Sequence, residues 1–202
     1  INDSGPVYTA LAGDNQAYPS YPLQTLIRQA WGLDATQGPL HYLQARLPGF
    51  NSNDLGSLYP ALSSNLPGDR MGHTHFWQDL NYSSYSYERF YPEIVNAPNQ
   101  ATKEALIKQR WATDTTRLRS QLASLGNVGG YFPQFRNVNE SHCTSIVEFA
   151  NADIQEMGLE LEDFIDNVLN GRGPVMQASE SDEQADYNKP FNPLYWLLGQ
   201  AL

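Results

Sequence analysis

Two of the chain's four histidines, His73 and His75, stand one residue apart in the stretch Arg70-Met71-Gly72-His73-Thr74-His75-Phe76-Trp77. On extended backbone side chains alternate with a period of two, so both imidazoles face the same way; on a helix they diverge by about 200°. The neighbours Gly72, Thr74, Phe76 and Trp77 favour the extended case. A pair of imidazoles on one side could bind a transition metal ion such as Zn, Mn, Fe or Cu. A catalytic metal also needs a third protein ligand and an open position. Asp79 is the third residue assigned to such a site. His41, Glu88, Glu93 and His142 are the other residues of suitable chemistry, and spacing does not choose among them. The plainer reading is that the two rings hydrogen-bond backbone groups beside Trp77.

Two further pairings invite a chemical reading. His142-Cys143 falls near a predicted helix start, where unpaired amides favour a thiolate. Adjacent helical residues diverge by about 100°, so His142 is not placed to act as base for its own neighbour, and a buried inert thiol is the commoner outcome. Glu88 and Glu93 lie among Tyr87, Phe90 and Tyr91 and could serve as an acid and base on a sugar, with the rings as stacking platforms. Nothing in the sequence fixes their separation. Together with Trp77 and Tyr85, these rings (Tyr87, Phe90, Tyr91) form the predicted ligand-binding segment. No Gly-x-Ser-x-Gly, Gly-rich phosphate loop, Cys-x-x-Cys, His-Glu-x-x-His, Glu-x-x-His or EF-hand pattern occurs.

Several helices must position these groups. Pro22 suits a first helical turn, and Leu23, Leu26, Ile27, Ala30 and Trp31 repeat at helical intervals up to Gly32, a left-handed stop. A second short helix is predicted from Pro39 to Leu47, before Pro48. Residues 49–68 read as a loop with a helical turn near 55–62, and the serine- and tyrosine-rich stretch after Trp77 as an irregular, half-buried surface. Asn99 caps a long helix to Leu125, with Ile107, Trp111, Leu118 and Leu122 on one face. A second long helix is expected over 142–170, where Ile146, Phe149, Ile154, Met157, Leu161, Phe164, Ile165 and Val168 make an apolar stripe. Residues 1–20 read as an irregular arm and residues 177–192 as a mobile acidic segment, while the apolar tail 194–198 should dock on the body.

The expected fold is therefore mainly α: a bundle-like single domain over residues 1–202, built on the helices 99–125 and 142–170, with shorter N-terminal helices and long irregular loops. With 202 residues, 41% of them hydrophobic, the chain can bury one substantial core. Acids outnumber bases 22 to 12, a formal net charge of -10 that repels phosphate backbones and disfavours nucleic acid and acidic membranes. No apolar run has the length of a spanning helix. The single cysteine, Cys143, excludes an internal disulfide. The numbering starts at Ile1, which reads as removal of a signal peptide, and Asn2, Asn81 and Asn139 open glycosylation triplets. The reading is an exported, secreted or periplasmic protein that captures a small molecule or protein partner through residues 73–91. The alternative is a metal-dependent hydrolase or oxidoreductase centred on His73 and His75.

Overall fold

The computed structural model describes residues 1–134, 136, 141–145 and 152–181. Its architecture is mixed α/β, which corrects the expectation of a helical bundle. Strands β1 (Asn2–Asp3), β2 (Met71–Thr74), β3 (Val128–Phe132) and β4 (Gln177–Ser179) form one sheet in the order β1-β2-β3-β4. Every pairing is parallel, with His73 opposite Asn2 on one side and Gly130 on the other. The helices are α1 (Tyr21–Ala30), α2 (Pro39–Arg46), α3 (Leu58–Asn65), α4 (Leu80–Tyr87), α5 (Pro92–Val95), α6 (Gln100–Ala123) and α7 (Leu161–Asn170). No helix among the described residues is long and apolar enough to cross a membrane.

The chain divides into two compact units, one comprising residues 1–6, 70–82 and 126–202, the other residues 7–69 and 83–125. The first holds the sheet. Successive residues of β2 face opposite sides, so Gly72, Thr74 and Phe76 share one face and His73 and His75 the other. On the first face α7 lies against β2 and β3 through Phe164 and Val168, which join Phe76, Tyr131, Ile154, Leu161 and Val175 in a buried core. The helix comes this close because two strand positions lack a side chain. A Cβ on Gly72 would sit 2.9 Å from Val168 Cγ2, and one on Gly129 would sit 2.5 Å from Val175 Cγ1 and 3.0 Å from Phe164 Cε2.

The expected 142–170 helix is only partly there. Residues 142–143 are irregular and 144–145 form a turn, 146–151 lie outside the described residues, and helical structure resumes as a 3-10 turn, Gln155–Met157, before α7 starts at Leu161. Between these last two elements Gly158 takes φ +61° and Ile154 bridges Leu159, so the backbone reverses where the apolar period would carry it straight on. A capping box of Glu160 and Asp163 then opens α7. The segment expected to be mobile begins instead with β4, and Glu180 behind it is buried against Arg136 at 2.8 Å. The tail 194–198 is outside the described residues.

The second unit matches the helical reading more closely. Asn99 caps α6 by accepting the Thr102 amide at 2.9 Å, and Ile107, Trp111, Leu118 and Leu122 are buried. Gly32 adopts the left-handed φ of +59° just beyond α1. Asp114 of α6 accepts a hydrogen bond from the Tyr87 hydroxyl at 2.8 Å, and burial pushes its carboxyl up to about 7. The phenol-rich stretch is more regular than expected: it forms α4, then a 3-10 turn, Glu88–Phe90.

The glycine contacts give the first expected outcome. Gly129→Ala should lower the free energy of unfolding by about 1–3 kcal/mol, the usual cost of forcing extra carbon into a filled core. Chemical denaturation checks it, and an unchanged value would mean that Val175, Met176 and Phe164 can give way to the added carbon.

Candidate functional site

His73 and His75 lie on extended backbone and do turn together. Their ring centroids are 4.9 Å apart, and His73 Nε2 meets His75 Nδ1 at 2.7 Å. Both are fully buried, with Phe132 edge-on to His75 at 5.0 Å. Burial drives His73 down to about 3, against the pull of the Asp3 carboxylate. Burial also pushes His75 well below the ordinary range, and the His73 ring adds to it. Two neutral rings satisfy this contact, one donating and one accepting. Among the described residues no group of three His, Cys, Asp or Glu side chains is arranged to hold a metal ion.

Asp79 turns to a different histidine. One of its oxygens accepts the Tyr82 amide at 2.7 Å, three residues on, as a helix-capping carboxylate does at the start of α4. The other meets His142 Nδ1 at 2.8 Å. The Asp79 side chain is wholly buried, whereas 27% of the His142 side chain is open to solvent. Burial raises the Asp79 carboxyl, and the His142 and Tyr82 hydrogen bonds draw it back in part. The Tyr82 ring runs nearly parallel to the imidazole, at 6° and 6.4 Å between centroids. An ionised carboxylate only accepts, so opposite an ionised Asp79 the Nδ1 of His142 is the donor.

The turn that carries His142 is held at both ends. Ser141 Oγ donates to the Arg136 carbonyl at 2.7 Å and accepts the Arg136 amide at 2.5 Å. Beyond His142, the Cys143 amide donates to Ser4 Oγ at 3.0 Å, and the amides of Thr144 and Ser145 donate to Asp3 at 2.8 and 3.0 Å. Cys143 is therefore in a turn with φ +63° rather than on a helix. Burial raises its thiol, and the carboxylates of Asp3 and Asp79 raise it further. Both effects oppose the thiolate reading and leave the half-buried thiol protonated, in line with the inert alternative.

The other predicted residues fall in both units. Trp77 belongs to the sheet unit, where its indole N–H donates to Ser179 Oγ at 2.8 Å. Tyr85, Tyr87, Phe90 and Tyr91 belong to the other unit. There Tyr87 is buried on Asp114, the Tyr91 hydroxyl donates to the Pro19 carbonyl at 2.8 Å, and Tyr85 and Phe90 share the Arg89 guanidinium, with Tyr85 exposed. Glu88 pairs with Lys103 and Glu93 with Arg110. His41 lines a surface hollow with Asp34 and Gln44 in that second unit. Asn81 is exposed on α4, Asn2 is half-buried in β1 with its amide donating to Gly5 O at 2.8 Å, and Asn139 lies outside the described residues. Sequence reasoning missed Asp3, Ser4 and Thr144 altogether, because their partners lie some 140 residues away along the chain.

No family model matches this chain, and neither a curated protein nor a solved structure matches it.

The buried histidines make a pH-dependent prediction. Both stay neutral in the fold while the unfolded chain protonates near pH 6.5, so the unfolded state binds more protons as pH falls from 6.5 towards about 3. Stability held above pH 6.5 is then lost through that window, by at most about 1.4 kcal/mol per pH unit for each ring. Nitrogen-15 NMR of labelled histidine should find both imidazoles neutral at pH 5; protonation of either near pH 6.5 would contradict the arrangement.

Proposed function

We propose that the protein is a hydrolase acting on acyl groups, with His142 as general base and Asp79 as the carboxylate that orients it. The observation that carries this reading is the 2.8 Å contact between the wholly buried Asp79 and the partly exposed Nδ1-bonded ring of His142. This is the base-and-orienter pair of nucleophilic hydrolysis: the carboxylate fixes the Nδ1–H tautomer and steadies the imidazolium that forms when Nε2 takes a proton. The pair's position supports it as well. Asp79 follows the end of β2 and His142 follows the end of β3, so the pair forms beyond the carboxyl ends of two adjacent parallel strands. The hydroxyl or water whose proton His142 removes would attack the acyl carbon, and the same proton would pass to the leaving group.

The test is hydrolysis of a panel of p-nitrophenyl esters of graded acyl length by the intact chain. His142→Gln and Asp79→Asn should each lower kcat/KM by about 10²- to 10⁴-fold with folding preserved. An unaltered rate in His142→Gln, or a native chain inert towards the whole panel, would overturn the assignment.

A second reading, capture of a small molecule by the aromatic segment 73–91, is favoured at one place. Tyr85, Glu88, Arg89, Val95 and Lys103 line a surface hollow in the second unit, where the Arg89 guanidinium lies 4.8 Å over the Tyr85 ring. An exposed ring beside charged groups suits a sugar or another flat polar ligand. Titration with soluble glucan oligosaccharides should shift the NMR signals of Tyr85, and Tyr85→Ala should weaken binding about 3- to 10-fold. Oligosaccharides that leave those signals unmoved would remove this reading.

A further inference from the structure

The carboxylate of Asp3, the last residue of β1, collects five hydrogen bonds. Ser4 Oγ donates at 2.9 Å, the amide and hydroxyl of Thr144 at 2.8 and 2.9 Å, and the amide and hydroxyl of Ser145 at 3.0 and 2.5 Å. Ser4 Oγ, while donating to Asp3, accepts the Cys143 amide at 3.0 Å. Thr144 Oγ1 is also 3.0 Å from Thr74 Oγ1 of β2, so the turn is tied at once to the edge strand β1 and to its neighbour β2. Burial alone would raise the Asp3 carboxyl, but the donors of Ser145 and Thr144 outweigh it and hold the group below its ordinary value. A carboxylate so supplied stays ionised and keeps accepting.

The backbone adds an independent sign. Among the described residues three non-glycine positions have positive φ: Ser4 at 55°, Ser141 at 56° and Cys143 at 63°. Ser141 and Cys143 flank His142, and Ser4 is the residue that receives the Cys143 amide. L-residues seldom adopt this conformation, and where they do the surroundings must over-determine it. The surroundings that do so here are the Ser141 bonds to Arg136 on one side and the Asp3–Ser4 bonds on the other. A two-residue strand buries too little to be stable by itself, so β1 is held in place largely by what it binds.

We propose that Asp3 is a positioning residue for His142: it clamps the 143–145 turn across the carboxyl edge of the sheet and thereby sets the imidazole against Asp79. This rests on the reading of His142 as the general base. Asp3 itself touches no reacting atom. It fixes the backbone on one side of His142, Ser141 fixes the other, and Asp79 fixes the ring.

The experiment compares Asp3→Ala and Asp3→Asn with Asp79→Asn and His142→Gln in the full chain, reading the His142 Nδ1–H resonance and tautomer by NMR and p-nitrophenyl ester hydrolysis beside them. In the native chain the Nδ1–H signal should be low-field and protected from exchange. Asp3→Ala should lose it, as Asp79→Asn does, while amide dispersion elsewhere is kept, and kcat should fall about 10²-fold at little-changed KM. Asp3→Asn should lie between, since its amide nitrogen meets the Ser145 donors and repels them. A signal and tautomer unaltered in Asp3→Ala overturn the proposal. If Asp3→Ala does not fold, Thr144→Val and Ser145→Ala, which remove hydroxyl donors only, should each weaken the protection of the signal; full protection in both overturns it equally. Loss of the signal in Asp3→Ala, with ester hydrolysis indifferent to His142→Gln, would sink the hydrolase reading and leave the clamp standing.

Discussion

Parallel pairing sets a constraint that antiparallel hairpins escape: the carboxyl ends of neighbouring strands must all lie along one edge. In this sheet β1 ends in Asp3, β2 leads to Asp79, β3 leads to the turn of His142, and β4 leads to Glu180. Residues far apart in sequence therefore meet because their strands point the same way. The glycines make the sheet possible at this thickness. Gly72 and Gly129 give up side-chain packing so that Phe164 and Val168 of α7 can approach the backbone. Glycine weakens a strand on its own account, and the buried core of Phe76, Tyr131, Phe164 and Val175 offsets that cost.

Burial sorts the histidines into two kinds. His73 and His75 are sealed on the face of the sheet away from α7 and answer each other's nitrogens, so neither meets solvent. A ring held at about 3 is a feeble base at neutral pH, and proton transfer to it is unfavourable by several pKa units. His142 has the opposite situation: a partly exposed ring, with a wholly buried carboxylate on one nitrogen. Burial thus suppresses proton uptake by the two rings in the sheet's interior. The same logic governs other buried charges. Arg136 and Glu180 are buried at 2.8 Å from each other, with Glu180 also accepting the Gln134 amide at 2.6 Å, and such a pair persists only when the remaining polar atoms are bonded too.

Much of the helical content was legible in the sequence, and the sheet was not. The first two helices, the Asn99 cap and the buried face of α6 follow from local signals: proline at a first turn, a side-chain cap, and a 3.6-residue period. Parallel strands buried on both faces usually announce themselves as apolar runs. Here β2 reads Met-Gly-His-Thr and β3 reads Val-Gly-Gly-Tyr-Phe, because the close approach of α7 demands glycine where valine would ordinarily stand. Strands of two and three residues at the edges leave no period to detect. The stripe over 142–170 misled for a related reason: its apolar residues are genuinely buried, at Ile154, Leu161, Phe164 and Val168, but they reach one core from a bend and a helix. At the site, the extended geometry of His73 and His75 was readable from their spacing. The partnership of Asp79 with His142 was not, since 63 residues separate them and only the fold supplies the meeting.

The thiol beside His142 sharpens the assignment of roles. A cysteine next to a histidine in sequence invites a nucleophile-and-base reading, but a thiolate needs positive charge or free amides around it. Cys143 instead lies near the carboxylates of Asp3 and Asp79, which hold its proton on, and its own amide is taken by Ser4. Those two carboxylates serve the imidazole: Asp79 by direct contact, Asp3 by holding the turn on which both residues ride. An arrangement that holds a neutral thiol and an oriented imidazole side by side favours proton transfer through His142 over attack by sulfur. The strained φ values at Ser141 and Cys143 are what this local geometry requires, because a helical or extended turn would carry His142 away from the carboxylate that gives it its tautomer.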